Sequence, residues 1–359
     1  MPEAPEDKRD KRVDLVFEGG GVKGIGLVGA FSVLEEHGYG PQGIAGSSGG
    51  AVLAALLAAG YTAAELREIL LELDFESLRD KAWEDRIPFL GTPLSLLKDQ
   101  GLYEGKALLK YMRGLLAYKG VRTFGDLIEA GYTGQARLGN RVQMIASDIS
   151  TRSLLVLPRD ASRLGIEDPG SLEVALAVRM SAGIPFYFEP VKFRNPKTGR
   201  DHLIVDGGVL SNFPVWLFDT GGEPRWPTFG LKLVEPDPRA PLAYRIGEAG
   251  HPTNKIEATI DYVKSLVLTV IEAHDRLYIE TADFVRTICI PTLGIRTTDF
   301  DLSRERKLEL YEAGRDAAER FLKTWSFEDY KKEFRQGDGY PRGTEAAGRT
   351  RRGADEDGH

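Results

Sequence analysis

The sequence predicts an α/β fold, a three-layer sandwich in which helices cover both faces of a mostly parallel central sheet. Two observations predict this class. Short apolar runs with strand character alternate with helical stretches over the first sixty residues, and glycine-rich turns separate the two kinds of segment. Such alternation joins parallel strands through crossover helices that cover the sheet. The length of 359 residues and the 42% hydrophobic content are sufficient for one large core.

The first elements follow in a strand, helix, strand, helix order. A strand over residues 13–17 runs into a glycine-rich loop, and a helix over residues 25–37 carries apolar residues at helical spacing and stops at Gly38. A second strand is predicted at residues 43–45 and a helix of small residues at 51–59.

The turn between them, residues 46–50, reads G-S-S-G-G and makes Ser48 the candidate nucleophile. In a G-x-S-x-G turn the serine can sit on a sharp elbow, and the flanking Gly46 and Gly50 carry no Cβ atoms that would block a substrate carbonyl. Three fixed positions in five are common by chance. The turn alone therefore does not establish catalysis.

The glycine-rich loop, residues 19–24, admits several interpretations. Gly19, Gly21 and Gly24 match the G-x-G-x-x-G dinucleotide fingerprint, but no acidic residue stands about 20 positions beyond the loop, where that fingerprint needs one. A phosphate-binding P-loop needs a lysine after its last glycine, whereas Lys23 precedes Gly24. A third interpretation is an oxyanion hole, because successive glycines at a helix start expose backbone N–H groups. A simple tight turn also remains open.

A third motif lies downstream, after a strand predicted at residues 203–205. Asp206, Gly207 and Gly208 follow this strand, and an aspartate at that position is placed to take a proton from a serine. Taken alone, D-G-G is more typical of an Asx-turn. Each of the three motifs thus follows a predicted strand, where parallel sheets keep their sites. Other elements are expected from their apolar patterns: strands at 141–148, 154–157 and 228–233, and helices at 255–281 and 303–325.

Together the three motifs resemble those of the patatin-like phospholipases, which combine a G-G-G-x-[KR]-G loop with G-x-S-x-G and D-G-[GA]. Residues 177–186, A-V-R-M-S-A-G-I-P-F, are similar to the family's approach to its catalytic aspartate. The resemblance covers about residues 13–215. It implies that Ser48 is the nucleophile and Asp206 the proton acceptor of a Ser–Asp dyad. It also implies oxyanion donation by the amides of Gly20, Gly21 and Val22.

One position departs from the family pattern. Many members carry Asp or Ser where this chain has Glu18. We expect little consequence, because the side chain precedes the loop.

A dyad must work without an imidazole. An aspartate with an ordinary pKa of about 4 is a weak base, so Asp206 would have to act in a partly desolvated pocket. Among the histidines, His202 lies four residues before Asp206 on the same strand, which puts it on the same face but about 13 Å away. The other four have no motif around them, and we expect all five to be structural or surface residues: His37, His202, His251, His274 and His359.

Composition narrows the function and the compartment. The formal net charge of −7 argues against a nucleic-acid-binding protein, which needs a basic surface. The single cysteine, Cys289, excludes an intrachain disulfide and favours a reducing compartment, and we expect it to be a buried small hydrophobe. Residues 38–64 carry no charge, but Pro41 and several glycines interrupt them, which favours a soluble core over a membrane span. We expect a cytoplasmic protein, and peripheral contact with a membrane stays open.

The domain organisation is simple. We expect a disordered lead over residues 1–12, without the apolar segment of a signal peptide, then one catalytic domain over 13–330 and a disordered charged tail over 331–359. Residues 75–111 mix apolar side chains with proline and glycine. They suit a lid or acyl-chain wall, in which Phe89 and Leu94 would contact the acyl chain, as well as ordinary core loops.

The sequence thus predicts a serine acyl hydrolase that releases fatty acids from lipid esters without a metal or cofactor. The lipid substrate class comes from the resemblance. An acyltransferase of related elbow fold is one alternative, against which D-G-G counts because those enzymes usually use histidine. A catalytically silent lipid-binding regulatory protein is the other, against which the three complete motifs count. The oligomeric state stays unknown.

Overall fold

The computed structural model describes residues 11–74, 101–103, 105–129, 142–220, 222–234, 281–297 and 299–335, and the single positions 267 and 269. Its strands are β1 (Lys11–Phe17), β2 (Tyr39–Ser47), β3 (Gly101–Tyr103), β4 (Val142–Asp148), β5 (Ser153–Leu157), β6 (Phe186–Phe188), β7 (Val191–Arg194), β8 (Asp201–Asp206), β9 (Thr228–Val234) and β10 (Thr287–Pro291). Its helices are α1 (Gly24–Glu36), α2 (Gly49–Ala58), α3 (Ala63–Glu72), α4 (Lys106–Tyr118), α5 (Asp126–Glu129), α6 (Val174–Ser181), α7 (Thr281–Val285), α8 (Arg304–Thr324) and α9 (Phe327–Phe334).

The central sheet is mostly parallel, and the predicted α/β class is confirmed. Its strand order is β10-β9-β1-β2-β4-β8-β7, with β5 paired antiparallel to residues 144–148 of β4, while β3 and β6 form a separate small pair. The strands from β10 to β4 run parallel to one another. β8 runs antiparallel to β4, and β7 antiparallel to β8.

Helices pack on both sides of this sheet. One group consists of α1, α3 and α8, and the other of α2, α4 and α6, each with mutual contacts. α1 and α2 are apolar around most of their circumference and are buried accordingly. The burial of α2 and of the second half of β2 places most of the uncharged stretch over residues 38–64 in the core. None of the described helices combines the length and the apolar character that crossing a bilayer requires.

The first four predicted elements form close to their expected positions. β1 begins at Lys11, two residues before the expected start, and β2 extends beyond the predicted core in both directions. α8 agrees with the helix predicted at 303–325, and Ser303 caps it by accepting a hydrogen bond from the Arg306 amide. Most of the helix predicted at 255–281 and most of the candidate lid, including Phe89 and Leu94, lie outside the described residues.

The C-terminal boundary expected at residue 330 is wrong by a few positions. α9 continues to Phe334 because Tyr330 is buried against Trp325, with 5.4 Å between ring centroids. Arg335 then donates a hydrogen bond of 2.6 Å to Asp219. Residues 336–359 lie outside the described part.

Cys289 also differs from the expectation. Side chains of β10 alternate between the two faces of an edge strand, so Ile288 and Ile290 are fully buried while Cys289 is only partly buried.

Candidate active site

Ser48 lies on a sharp turn between β2 and α2. Its backbone has φ 52° and ψ −124°, a region that non-glycine residues rarely adopt. A Cβ atom at Gly46 would overlap the carbonyl group of Gly50, and one at Gly50 would overlap that of Phe17. Both glycines are therefore needed for close packing against neighbouring backbone, and their predicted part in admitting a substrate carbonyl stays a prediction.

Asp206 meets Ser48 where β2 and β8 end along β4. Ser47 of β2 pairs with Ile145 of β4, and the next β4 residue, Ala146, pairs with Asp206. β5 pairs with the other edge of β4 at both positions, so the ends of β2 and β8 lie next to each other. The Ser48 hydroxyl donates a hydrogen bond of 2.7 Å to Asp206 Oδ2. The expectation that all three motifs follow parallel strands is wrong for Asp206, because β8 runs against its neighbour.

The environment of Asp206 changes its protonation. The side chain is fully buried, and Oδ1 accepts a hydrogen bond of 2.8 Å from the Gly208 amide. Burial disfavours the charged form and raises the pKa of Asp206 to about 7, although the bonds from Ser48 and Gly208 pull in the opposite direction. Asp206 is therefore a desolvated carboxyl group whose pKa is raised toward neutral pH.

The glycine-rich loop lies beside the elbow. Gly19 exchanges two hydrogen bonds with Asn212: its amide donates to the Asn212 carbonyl (3.0 Å), and Asn212 Nδ2 donates to its carbonyl (3.0 Å). Gly21 has φ 54° and packs against the backbone of Gly49, the first residue of α2. Within the described residues, no hydrogen bond uses the amide of Gly20 or Gly21.

The third expected donor differs from these two. The amide of Val22 donates to the carbonyl of Thr297 at 3.4 Å, so it is turned toward the loop after β10. The amide of Val22 thus has an acceptor in this structure, unlike those of Gly20 and Gly21, and its role as an oxyanion donor stays a prediction.

The expectation that Glu18 has little structural consequence is wrong. Its side chain is buried, Lys232 Nζ forms an ion pair with Oε1, and the Leu233 amide donates to Oε2 at 2.6 Å. Lys232 also lies over the Phe213 ring, 4.9 Å from its centroid. These contacts attach the residue just before the loop to β9.

The described histidines are not part of the site. His202 is buried and pairs with Asp148, with 2.7 Å between Nδ1 and Oδ2, and His37 lies 3.6 Å from Glu319. Both agree with the expected structural or surface roles, while the other three histidines lie outside the described part. Within the described ranges, no cluster of three or more His, Cys, Asp or Glu side chains is arranged to hold a metal ion.

Several residues that shape the site carry no signal of their own in the sequence. Lys232 and Thr297 are more than two hundred residues away from the segment that they contact. Asn212 follows the D-G-G motif by four positions, which is the one hint that sequence could offer. Ser181 and Gly183 lie in the segment that resembles the family's approach to the aspartate, but the resemblance assigns them no task.

A family model of patatin-like phospholipases matches residues 15–219, a range that contains the glycine-rich loop, the elbow and Asp206. The chain belongs to the patatin-like phospholipase family. This membership confirms the resemblance seen in the motifs.

Individual proteins are also similar to this chain. Uncharacterized protein YqhO of Bacillus subtilis is 39% identical over 321 residues, which cover 88% of this chain and 99% of that protein. Probable lipid hydrolase 463L of Invertebrate iridescent virus 6 is 24% identical over 56% of this chain and 61% of its own length. Among solved structures, VipD from Legionella pneumophila is 17% identical and has a TM-score of 0.49, covering 88% of this chain and 67% of VipD.

Proposed function

We propose that this patatin-like protein is a lipid acyl hydrolase in which Ser48 and Asp206 form the catalytic dyad. The observation that carries the proposal is the direct hydrogen bond of 2.7 Å between the Ser48 hydroxyl and a fully buried carboxylate. A base in contact with its nucleophile needs no intermediate group, and burial brings its pKa close to neutral pH, where a general base works best.

In the proposed reaction, Ser48 Oγ attacks the acyl carbonyl carbon and its proton moves to Asp206 Oδ2. The amides of Gly20 and Gly21 stabilise the oxyanion, aided by the N-terminal end of α2. The C–O bond to the alcohol then breaks, and the alcohol leaves with the proton from Asp206. Water attacks the acyl-enzyme, gives its proton to Asp206 and releases a fatty acid, while Ser48 regains its hydrogen.

The proposed substrate is a fatty-acyl ester of a membrane or storage lipid, reached through peripheral contact with the lipid surface. Family membership supports this class, as does the description of the iridescent virus relative as a probable lipid hydrolase. Neither distinguishes a phospholipid from an acylglycerol. Fatty-acid release from a panel of phospholipids, lysophospholipids and acylglycerols would identify the preferred ester.

The central test is covalent labelling with a fluorophosphonate. The wild-type protein should be labelled, Ser48→Ala should not, and Asp206→Asn should be labelled at least about 100-fold more slowly because its base is lost. Ser47→Ala is the matched control: it removes a neighbouring buried hydroxyl that has no hydrogen-bond partner among the described residues. Labelling that persists in Ser48→Ala would falsify the nucleophile assignment, and ester products in place of fatty acid would identify an acyltransferase.

A further inference from the structure

The turn at the C-terminal end of α6 contacts both members of the proposed dyad. The Ser48 amide donates a hydrogen bond of 3.1 Å to Ser181 Oγ. Two residues further along, the carbonyl of Gly183 accepts a hydrogen bond of 3.0 Å from the Asp206 amide. One short segment, residues 181–183, therefore holds the main chain of the nucleophile and that of the base.

This turn is itself anchored. Arg179, two residues before Ser181 on α6, is buried, donates from Nη2 to the Glu189 carbonyl at 2.6 Å and lies over the Phe188 ring at 5.3 Å. The guanidinium also packs closely on Gly183. The end of α6 is thus fixed to the segment that follows it. The two hydrogen-bond acceptors on this turn, Ser181 Oγ and the Gly183 carbonyl, therefore have defined positions.

The contact with Ser48 is important because of the backbone conformation at that residue. A serine with φ 52° is held there only if its surroundings favour that conformation over the ordinary ones. Ser181 is fully buried, and its hydroxyl oxygen accepts the hydrogen bond from the Ser48 amide. Without that oxygen, the buried amide of Ser48 loses its hydrogen-bond acceptor. The peptide group at Ser48 is then free to rotate away from its present orientation.

We propose that Ser181 is a positioning residue that acts through the main chain of Ser48 and sets the distance between Ser48 Oγ and Asp206 Oδ2. Gly183 does the same for Asp206 through its carbonyl group. The inference rests on the proposed function, because it assigns these residues a task in the same dyad.

The test is Ser181→Ala with a water-soluble ester, 4-nitrophenyl butyrate. We expect kcat and the rate constant of fluorophosphonate labelling to fall together by about 10- to 100-fold, with KM unchanged. The acid limb of the kcat profile should also move to higher pH, because the hydrogen bond from Ser48 is one of the contacts that lower the pKa of Asp206. A role limited to folding would change the active fraction without moving this limb.

Ser47→Ala again serves as the control, since it removes a buried hydroxyl from the position next to the nucleophile and should keep the wild-type kcat, KM and pH profile. If Ser181→Ala does not fold, Ser181→Cys carries the test. Its sulfur is a weak acceptor of similar volume, and the expected changes have the same direction. Wild-type kcat, or a reduced kcat with an unmoved acid limb, would overturn the positioning role. An inactive wild-type protein that reacts with no fluorophosphonate would instead overturn the proposed function.

Discussion

Replacing Asp206 by asparagine should remove a pH-dependent loss of stability. The carboxyl group has a pKa of about 7 in the folded protein, raised by burial from an ordinary value of 3.8. Because the folded state holds this proton more tightly than the unfolded state, the stabilising contribution is complete below about pH 4 and is lost as the pH rises through 7.

The size of this effect follows from the two pKa values. Their difference of about three units corresponds to about 4 kcal/mol in total, of which about 2.5 kcal/mol is lost between pH 5 and pH 8. The asparagine side chain has no ionisable group, so the free energy of unfolding of Asp206→Asn relative to wild type should rise by that amount over the same interval. Comparing the two proteins cancels the titration of all other groups.

Urea denaturation followed by tryptophan fluorescence at several pH values measures the difference directly. Ser48→Ala is the matched control: it keeps the carboxyl group and loses a hydrogen bond that lowers its pKa, so its pH dependence should be at least as steep as that of wild type. A stability difference between Asp206→Asn and wild type that stays constant from pH 5 to pH 8 would refute the assignment of the raised pKa to Asp206.

Three further predictions concern the same site. If Asp206 is the base as proposed, the kcat/KM of the wild-type protein should rise with pH and level off above about 7, because only the carboxylate can take the proton. A limb near 4, measured with a soluble ester, would contradict this. Glu18→Gln should destabilise the fold by about 3 kcal/mol in urea, because Lys232 stays buried without its partner, and Glu18→Gln with Lys232→Met should recover most of the loss. An equally unstable double variant would argue against the ion pair. Gly46→Ala should abolish fluorophosphonate labelling of Ser48, because the added Cβ overlaps the Gly50 backbone. The control Gly114→Ala lies in an open position of α4 and should stabilise the protein by about 1 kcal/mol in thermal unfolding. Labelling of Gly46→Ala at the wild-type rate would show that the elbow tolerates a side chain.

Sequence reasoning succeeded where the signal is local. β1, α1, β2 and α2 are specified by hydrophobic periodicity and by the glycines between them, and Ser48 and Asp206 stand in short motifs whose combination is specific. Local patterns of this kind identify elements and candidate groups within a few positions of the chain.

Contacts between residues distant in the sequence could not be predicted from local patterns. Periodicity does not encode strand direction, so the antiparallel course of β8 could not be read from residues 203–205. Glu18 was expected to matter little because its partner, Lys232, lies on a strand far along the chain. The engaged amide of Val22 depends in the same way on Thr297. Each of these corrections comes from a contact between distant segments.

The direct contact between Ser48 and Asp206 limits how this site could be changed. β2 and β8 end next to each other along one edge of β4, because Ser47 pairs with Ile145 and Asp206 pairs with the following residue, Ala146. The Ser48 hydroxyl and the Asp206 carboxyl group are 2.7 Å apart, so no imidazole fits between them. Insertion of a histidine between the two groups would therefore require the ends of these two strands to move apart. In the proposed mechanism, one carboxyl group accepts and returns the proton in every turnover.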